Sequence, residues 1–183
     1  MLVKLGGARA AGLLVNTIVV HRPDDDAIHA LAVEYRAYPV AMRAEGELSD
    51  TLRSGIEVLS ARDRGEDRAA VLICMGDQPL LRLDVMKALL DGWKSGAVAI
   101  RPDYRDSPGE PGHPMLLDRS LWGYASELRG ESGFAPVLAA RGITVRTIPV
   151  GGSNPDVDTP EDLQALDLIP GVTAELRTPQ ALQ

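Results

Sequence analysis

An unbroken apolar run at residues 70–75 dominates the hydrophobic pattern of the chain. Half-exposed strands alternate between apolar and polar residues, so an uninterrupted run of this length predicts a strand that is buried on both faces. Gly76 and Pro79 close the run and place Asp77 just beyond the carboxyl end of the predicted strand. Ligands of open parallel α/β sheets bind at that edge. Asp77 is therefore a candidate metal ligand, and the alternative is an ordinary turn in which it caps a helix.

The rest of the pattern alternates between predicted strands and predicted helices. Apolar and β-branched runs predict further strands at residues 16–20, 38–42, 97–100, 115–117 and 144–150. Apolar residues at helical spacing predict helices that begin near residues 24–26, 49, 83, 120, 134 and 160. In the first of these helices, Ile28, Leu31, Ala32 and Tyr35 form the predicted buried face. The alternation predicts an α/β domain with a mostly parallel central sheet, and residues 101–114 are predicted to form a long loop.

Length and charge restrict the class of protein. The 183 residues are expected to form one domain over residues 1–168, followed by a C-terminal tail over residues 169–183. The net charge of -7 argues against nucleic-acid binding, which requires a basic surface. Cys74 is the only cysteine and lies in the apolar run, so we expect an inert thiol. Because no apolar run is long enough to span a membrane, we expect a cytoplasmic protein without a membrane partner.

Two acidic turns each follow a predicted strand. The first contains Asp77, and the second, at residues 156–160, contains Asp158. If both reach the same edge of the sheet, the two carboxylates would bind Mg²⁺, which takes one or two protein carboxylates and completes its coordination with water and phosphates. Such a site serves phosphoryl or nucleotidyl transfer, in which charge on a triphosphate is neutralised. The alternative for Asp158 is a capping turn in which Thr159 begins the last helix.

Four motifs, in their order along the chain, resemble those of the MobA-like NTP transferases. They are Gly-Asp-Gln-Pro at 76–79, Gly-His-Pro-Met-Leu-Leu at 112–117, Gly-Glu-Ser-Gly at 130–133 and Asp-Val-Asp-Thr-Pro-Glu-Asp-Leu at 156–163. The Gly-Asp-Gln-Pro form is most similar to the molybdenum cofactor cytidylyltransferases. The resemblance spans residues 13–166 and implies a three-layer, Rossmann-like nucleotidyltransferase fold.

The resemblance also implies a reaction and a set of site residues. The reaction would be the Mg²⁺-dependent transfer of CMP from CTP to molybdopterin, with a molybdoenzyme or a chaperone as a protein partner. Asp77 and Asp158 would be the catalytic residues and metal ligands. The implied substrate-binding residues are Gly46, Ser49, Thr51 and Gly55 on the nucleotide side, and Gln78, Pro79, Gly112, His113 and Pro114 on the acceptor side.

The sequence departs from the family pattern at three internal positions. Residues 46–55 contain one residue more than the family's Gly-x-x-x-Ser-Leu-x-x-Gly turn, and Thr51 replaces its Ser. Glu131 replaces an Asp, and Phe134-Ala135 replaces an Ala-Arg pair, so a phosphate-binding or structural Arg is absent there.

The largest departure is at the start of the chain. The family opens with a strand and a triphosphate loop, Leu-Ala-Ala-Gly-x-x-x-Arg-Met-Gly-x-x-Lys, which residues 5–12 match only in part. We therefore expect residues 1–12 to form the end of the family's first helix, and the first strand and loop to be missing through a mis-assigned start codon, a truncation or a natural loss. Without that strand, an edge should be exposed at residues 16–20 or 70–75.

Two other functions stay open at this stage. The same fold can transfer a nucleotide to a sugar or alcohol phosphate, and a non-catalytic binding protein can keep the acceptor site without the triphosphate loop. His113 is interpreted as a hydrogen-bond donor to the acceptor, or alternatively as part of a structural Gly-His-Pro turn. His21 and His29 are expected at the surface.

Overall fold

A computed structural model describes residues 8, 11–43, 46–62, 69–110 and 112–167. The predicted domain boundary at residue 168 and the tail lie outside the described residues, as does most of the predicted remnant of a first helix at residues 1–12. The strands are β1 (Ile18–His21), β2 (Tyr38–Ala41), β3 (Ala70–Ile73), β4 (Ala99–Tyr104), β5 (Met115–Asp118) and β6 (Arg146–Val150). The α-helices are α1 (Asp26–Glu34), α2 (Leu48–Arg62), α3 (Leu83–Lys94), α4 (Phe134–Ala140) and α5 (Pro160–Asp167), and a 3₁₀ helix spans Arg119–Glu127.

The strands form two separate sheets. Strands β1 and β2 pair in parallel, with Ile18 opposite Tyr38. The second sheet has the order β3-β5-β4-β6, in which β5 is antiparallel to both neighbours and β4 is parallel to β6. Strands β3, β4 and β6 therefore run in one direction, and their carboxyl ends meet at one edge. The predicted α/β class is confirmed, and β5 is the antiparallel member of the sheet.

Strand β3 lies at the edge of its sheet. All four of its residues are half-buried, whereas the sequence predicted burial on both faces. The reason is that β3 pairs only with β5 among the described strands, just as β1 pairs only with β2. Among the described strands, β1 and β3 therefore each have one edge without a paired strand, and they lie at the two positions where the sequence predicts an exposed edge.

Helix α2 packs against both sheets. On one side Gly55 lies so close to β1 that a Cβ added to it would be 3.3 Å from Cγ2 of Val20. On the other side Ile56 is buried in the main core together with Met115 and Leu117 of β5. Because α2 bridges the two sheets, it fixes the position of its own first turn relative to the second sheet.

Two predicted segments differ from the structure in their secondary structure. Strand β4 continues to Tyr104, into the predicted loop, because Ile100, Pro102 and Tyr104 alternate as buried residues along it while β6 pairs beside it. The predicted helix at residues 120–128 is a 3₁₀ helix, started by the Asp118 carboxylate, which accepts a hydrogen bond from the Ser120 N–H at 3.0 Å.

The predicted buried face of helix α1 is largely exposed. Ala32 is its only buried residue, while Ile28 and Leu31 are 36% and 39% exposed. Among the described elements, helix α1 packs mainly against β1 and β2, a two-stranded sheet too small to cover a whole helix face. His21, expected at the surface, is instead buried at the end of β1. No helix formed by the described residues is long and apolar enough to cross a membrane.

Candidate functional site

The Gly-Asp-Gln-Pro turn after β3 is joined to the acidic segment that precedes α5. The N–H of Val157 donates to the backbone oxygen of Asp77 at 2.9 Å. The side-chain amide of Gln78 donates to the Asp156 carboxylate at 2.7 Å and accepts from Asn154 at 3.3 Å. The two acidic turns, which are about 80 residues apart in the sequence, are therefore neighbours at the carboxyl edge of the sheet.

The Gly-His-Pro segment lies beside these turns. The backbone oxygen of His113 accepts hydrogen bonds from the Tyr104 hydroxyl at 2.8 Å and from the Asn154 side chain at 3.4 Å. Gly112 is packed so tightly that an added Cβ would lie 2.4 Å from the backbone oxygen of Pro102. Between the segments is a small pocket lined by Cys74, Met75, Gln78, Leu81, His113, Pro114 and Asn154.

Asp77 carries an oxygen that fits a metal ion. Its Oδ1 atom is buried and has no hydrogen-bond partner, so it is free to bind a cation. Asp158 is exposed, and its backbone N–H donates to Asp162 at 3.2 Å. The described residues contain no cluster of three or more His, Cys, Asp or Glu side chains. A cation at Asp77 would thus depend on water and phosphate oxygens for the rest of its coordination, which is the manner in which Mg²⁺ binds.

Burial controls the charge state of the groups around this pocket. It lowers the pKa of His113, an effect that the carboxylates of Asp156 and Asp77 oppose and Arg101 reinforces. Burial also raises the pKa of the Cys74 thiol to about 12, so the thiol stays protonated, in agreement with the inert cysteine predicted from the sequence. The imidazole of His113 is correspondingly favoured in its neutral form, in which it can donate one hydrogen bond and accept another.

A second group of predicted site residues lies at the start of α2. Ser49 is buried, and its backbone N–H donates to the backbone oxygen of Gly130 at 3.0 Å. The N–H of Leu48 donates to the Glu131 carboxylate at 3.4 Å. Arg53 donates to the backbone oxygen of Leu128 at 2.7 Å. The 130–133 turn and the first turn of α2, two of the motifs found in the sequence, are therefore held against each other.

The remaining predicted nucleotide-side residues serve local packing in this structure. A Cβ on Gly46 would lie 2.7 Å from Oδ2 of Asp50, and Gly55 provides the close approach of α2 to β1. The Thr51 hydroxyl donates to the Met42 sulfur at 3.2 Å. An added Cβ at Gly46 would thus crowd the Asp50 side chain and one at Gly55 would press on Val20, while the Thr51 hydroxyl is directed toward Met42.

Sequence reasoning missed several residues of the site. Asn154 and Asp156 lie four and two residues before the predicted ligand Asp158, and their polar side chains were a usable signal. Tyr104 gave no such signal, because it lies in β4, nine positions before His113, and only the fold brings the two together. Arg82, at the N-cap of α3, reaches the segment after β6. It pairs with Asp84, and this pairing raises the pKa of Arg82; its guanidinium also donates to the backbone oxygen of Gly151 at 2.7 Å.

Residues 6–145 match the sequence profile of the MobA-like NTP transferase domain. A search of curated proteins gave no significant match. Among solved structures, the fold is similar to Rv0371c from Mycobacterium tuberculosis H37Rv (24% identity, 90% of this chain and 81% of that chain, TM-score 0.71), which has also been solved as a manganese complex.

Two further structures share the fold at lower identity. One is a 4-diphosphocytidyl-2C-methyl-D-erythritol synthase, with 15% identity over 91% of this chain and 86% of that chain and a TM-score of 0.72. The other is the molybdopterin-guanine dinucleotide biosynthesis protein A from Archaeoglobus fulgidus, with 14% identity over 89% and 82% of the two chains and a TM-score of 0.56.

Proposed function

Because this chain belongs to the MobA-like NTP transferase family and is a nucleotidyltransferase by that membership, we propose that it transfers CMP from CTP to molybdopterin with Mg²⁺ as the metal. The observation that carries the proposal is the unpaired, buried Oδ1 of Asp77 at the carboxyl edge of the sheet. It lies in a turn that is hydrogen-bonded to the 154–158 segment, next to the Gly-His-Pro segment. The manganese complex of Rv0371c supports a divalent metal in this fold.

Asp77 holds the metal in this proposal, with Asp158 as the second ligand. A metal held there would supply neutralisation of the charge on the triphosphate. Asn154 and Gln78 connect the two acidic turns through hydrogen bonds. Because the 154–158 segment is hydrogen-bonded to the turn after β3, the backbone that carries the two proposed ligands would be held in place before substrate binds.

His113 binds the acceptor in this proposal, together with Gln78, Pro79, Gly112 and Pro114. A phosphate oxygen of the acceptor attacks the α-phosphorus of CTP, the bond to the β-phosphate breaks, and pyrophosphate leaves. A neutral His113 imidazole donates a hydrogen bond to the acceptor. The nucleotide side is assigned to Gly46, Ser49, Thr51 and Gly55 on the strength of the sequence motif alone.

The test is a pyrophosphate-release assay with the full chain, Mg²⁺, one nucleotide and one acceptor at a time. CTP with molybdopterin should react fastest. GTP is the second nucleotide, because a molybdopterin-guanine dinucleotide biosynthesis protein shares the fold. 2C-methyl-D-erythritol 4-phosphate is the second acceptor, because a diphosphocytidyl-methylerythritol synthase also shares it.

Calorimetry distinguishes the enzyme from a binding protein of the same fold. The enzyme should bind CTP in the presence of Mg²⁺ and should bind molybdopterin separately. Retained molybdopterin binding without any heat from CTP would contradict the proposed activity and would favour the non-catalytic alternative.

A further inference from the structure

Two histidines outside the candidate site face each other where β1 meets α1. His21 ends β1 and is only 7% exposed, while His29 lies on the exposed surface of α1. Nδ1 of His29 is 3.2 Å from Nε2 of His21. The ring planes are 84° apart, with their centroids separated by 5.2 Å. The two rings are thus joined edge to face through a hydrogen bond between these nitrogens.

The hydrogen bond at Nδ1 of His21 determines the tautomer of its neutral ring. Nδ1 of His21 lies 2.7 Å from the backbone oxygen of Arg22, which can only accept a hydrogen bond. The proton of a neutral His21 is therefore on Nδ1, and the lone pair of Nε2 faces His29. A metal-binding histidine typically donates its second N–H to a carbonyl in this way, which orients the ring and increases its basicity.

The distance between the two nitrogens suits a tetrahedral metal ion. Zinc binds histidine nitrogens at about 2.0–2.1 Å, which places two tetrahedral ligands about 3.3 Å apart. The observed separation of 3.2 Å matches this value. The ion would replace the hydrogen bond in which Nδ1–H of His29 donates to Nε2 of His21, and the His29 proton would move to its Nε2 atom.

We propose that Nε2 of His21 and Nδ1 of His29 bind one divalent transition-metal ion of the zinc, nickel or copper class, separately from the Mg²⁺ proposed at Asp77. Imidazole suits these metals, whereas Mg²⁺ prefers oxygen ligands. Within the described part of the chain no third His, Cys, Asp or Glu completes a cluster, so water or an exogenous ligand fills the remaining positions.

The rest of the chain offers little competition for such an ion. It has three histidines and one cysteine in all. The third histidine, His113, belongs to the pocket beside Asp77, and the Cys74 thiol stays protonated because burial raises its pKa to about 12. One ion per chain is therefore expected.

The bound ion would stabilise the packing of α1 against the end of β1, where few side chains are buried. Helix α1 buries only Ala32, and the His21–His29 pair joins it to the end of β1. The backbone oxygen of His21 accepts from the Met42 N–H at 2.9 Å, and the Met42 sulfur accepts from the Thr51 hydroxyl. The site is thus linked through Met42 to the first turn of α2.

The test is a calorimetric titration of the full chain with Zn²⁺, and in parallel with Ni²⁺, in excess Mg²⁺ to occupy oxygen-ligand sites. The wild type should bind one ion and its thermal midpoint should rise. His29→Gln removes one ligand from an exposed position, so it should weaken binding at least ~10-fold and abolish the rise in midpoint. His113→Gln is the matched control and should bind Zn²⁺ as the wild type does.

Equal affinities of the wild type and His29→Gln would overturn the proposal, as would loss of binding in His113→Gln alone. His21→Asn is a second variant, checked by circular dichroism because His21 is buried. If it unfolds, His29→Gln decides the question alone. Neither result depends on nucleotidyl transfer, so the metal site and the enzymatic proposal are tested separately.

Discussion

At the scale of single residues, the candidate site is a set of side chains whose hydrogen bonds leave particular atoms free. Asn154 uses its amide N–H groups on Gln78 and on the His113 backbone, while its Oδ1 has no partner. Oδ1 of Asp77 is also unpaired. An unpaired buried acceptor costs about 1–3 kcal/mol, so both oxygens are expected to meet a ligand or a water molecule.

Replacing Asp77 should abolish most of the catalysis and leave the fold intact. Asp77→Asn removes the charge that holds the metal, and we expect CMP transfer to slow by roughly 10²–10³, the magnitude seen when one electrostatic contact to the transition state is lost. Asp158→Asn should also slow the reaction if Asp158 is the second ligand. Asp91→Asn on the exposed surface of α3 is the control. An unchanged rate in Asp77→Asn would contradict the proposed metal site.

His113 should make the protein sensitive to mild acid. Burial lowers the pKa of His113 in the native state, so the unfolded chain takes up this proton first as the pH falls below about 6.5. Stability from the neutral imidazole is therefore present above that pH and is lost as the pH falls toward the native pKa. Urea unfolding at pH 7.5 and 5.5 should show a smaller loss for His113→Gln than for the wild type. Equal losses would show that His113 is not the group responsible.

Gly112 should tolerate no side chain. In Gly112→Ala the new Cβ would meet the Pro102 oxygen at 2.4 Å, and the backbone there cannot move without displacing β4. We expect a loss of about 1–3 kcal/mol in the free energy of unfolding, as for other overpacked substitutions. Gly123→Ala is the matched control, because nothing lies within 4 Å of its added Cβ. If both variants lose the same stability, the close contact at Gly112 is not the cause.

At the scale of elements, the start of α5 determines where Asp158 lies. The Thr159 hydroxyl accepts from the Asp162 N–H at 3.2 Å, and the Asp162 carboxylate accepts from the Thr159 N–H at 2.9 Å. This reciprocal capping box, followed by Pro160 as the first helical residue, stops the helix from extending into the acidic turn. The helix start thereby holds the backbone of Asp158.

Removing the cap should loosen this turn. Thr159→Ala is expected to lower the free energy of unfolding by about 1 kcal/mol, the usual value for a lost N-cap. It should also raise the KM for Mg²⁺, because the backbone of Asp158 is then held less firmly. Urea unfolding and a Mg²⁺ titration of activity measure the two effects. Glu161→Gln in the same turn keeps the cap and should resemble the wild type. A Thr159→Ala variant with wild-type stability would show that the cap contributes nothing.

At the scale of the whole molecule, the two sheets differ in how well they are covered. The second sheet carries the buried clusters formed with α2, α3, α4 and the 3₁₀ helix. Among the described elements, α1 and α2 make the main contacts to the small sheet of β1 and β2, and Val33 and Tyr38 are 56% and 47% exposed. Regions with few buried apolar contacts open locally at lower free energy.

Hydrogen exchange should therefore divide the chain into two parts. Amides of β1, α1 and β2 should exchange faster than those of β4 and β5, because their opening does not require the main core to unfold. Mass spectrometry of exchanged peptides measures this difference. Equal protection of the amides in both parts would contradict this division. If the His21–His29 site is occupied, added Zn²⁺ should slow the exchange of amides in β1, α1 and β2.

The sequence by itself determined the features that depend on neighbouring residues. The apolar run at residues 70–75 marks β3, and the Thr-Pro-Glu-Asp pattern marks the start of α5, because strand propensity and helix caps act over a few residues. The ordered motifs also identified the family and the turn that carries Asp77.

Only the tertiary structure decided which distant segments meet. The edge position of β3, the extension of β4 along β6, and the contacts of Asn154 and Tyr104 with His113 all join residues that no local pattern relates. The burial of His21 against His29 is of the same kind, since the sequence predicted both at the surface. Such contacts depend on how whole elements pack, because each is held by burial and hydrogen bonds between different elements or loops of the fold.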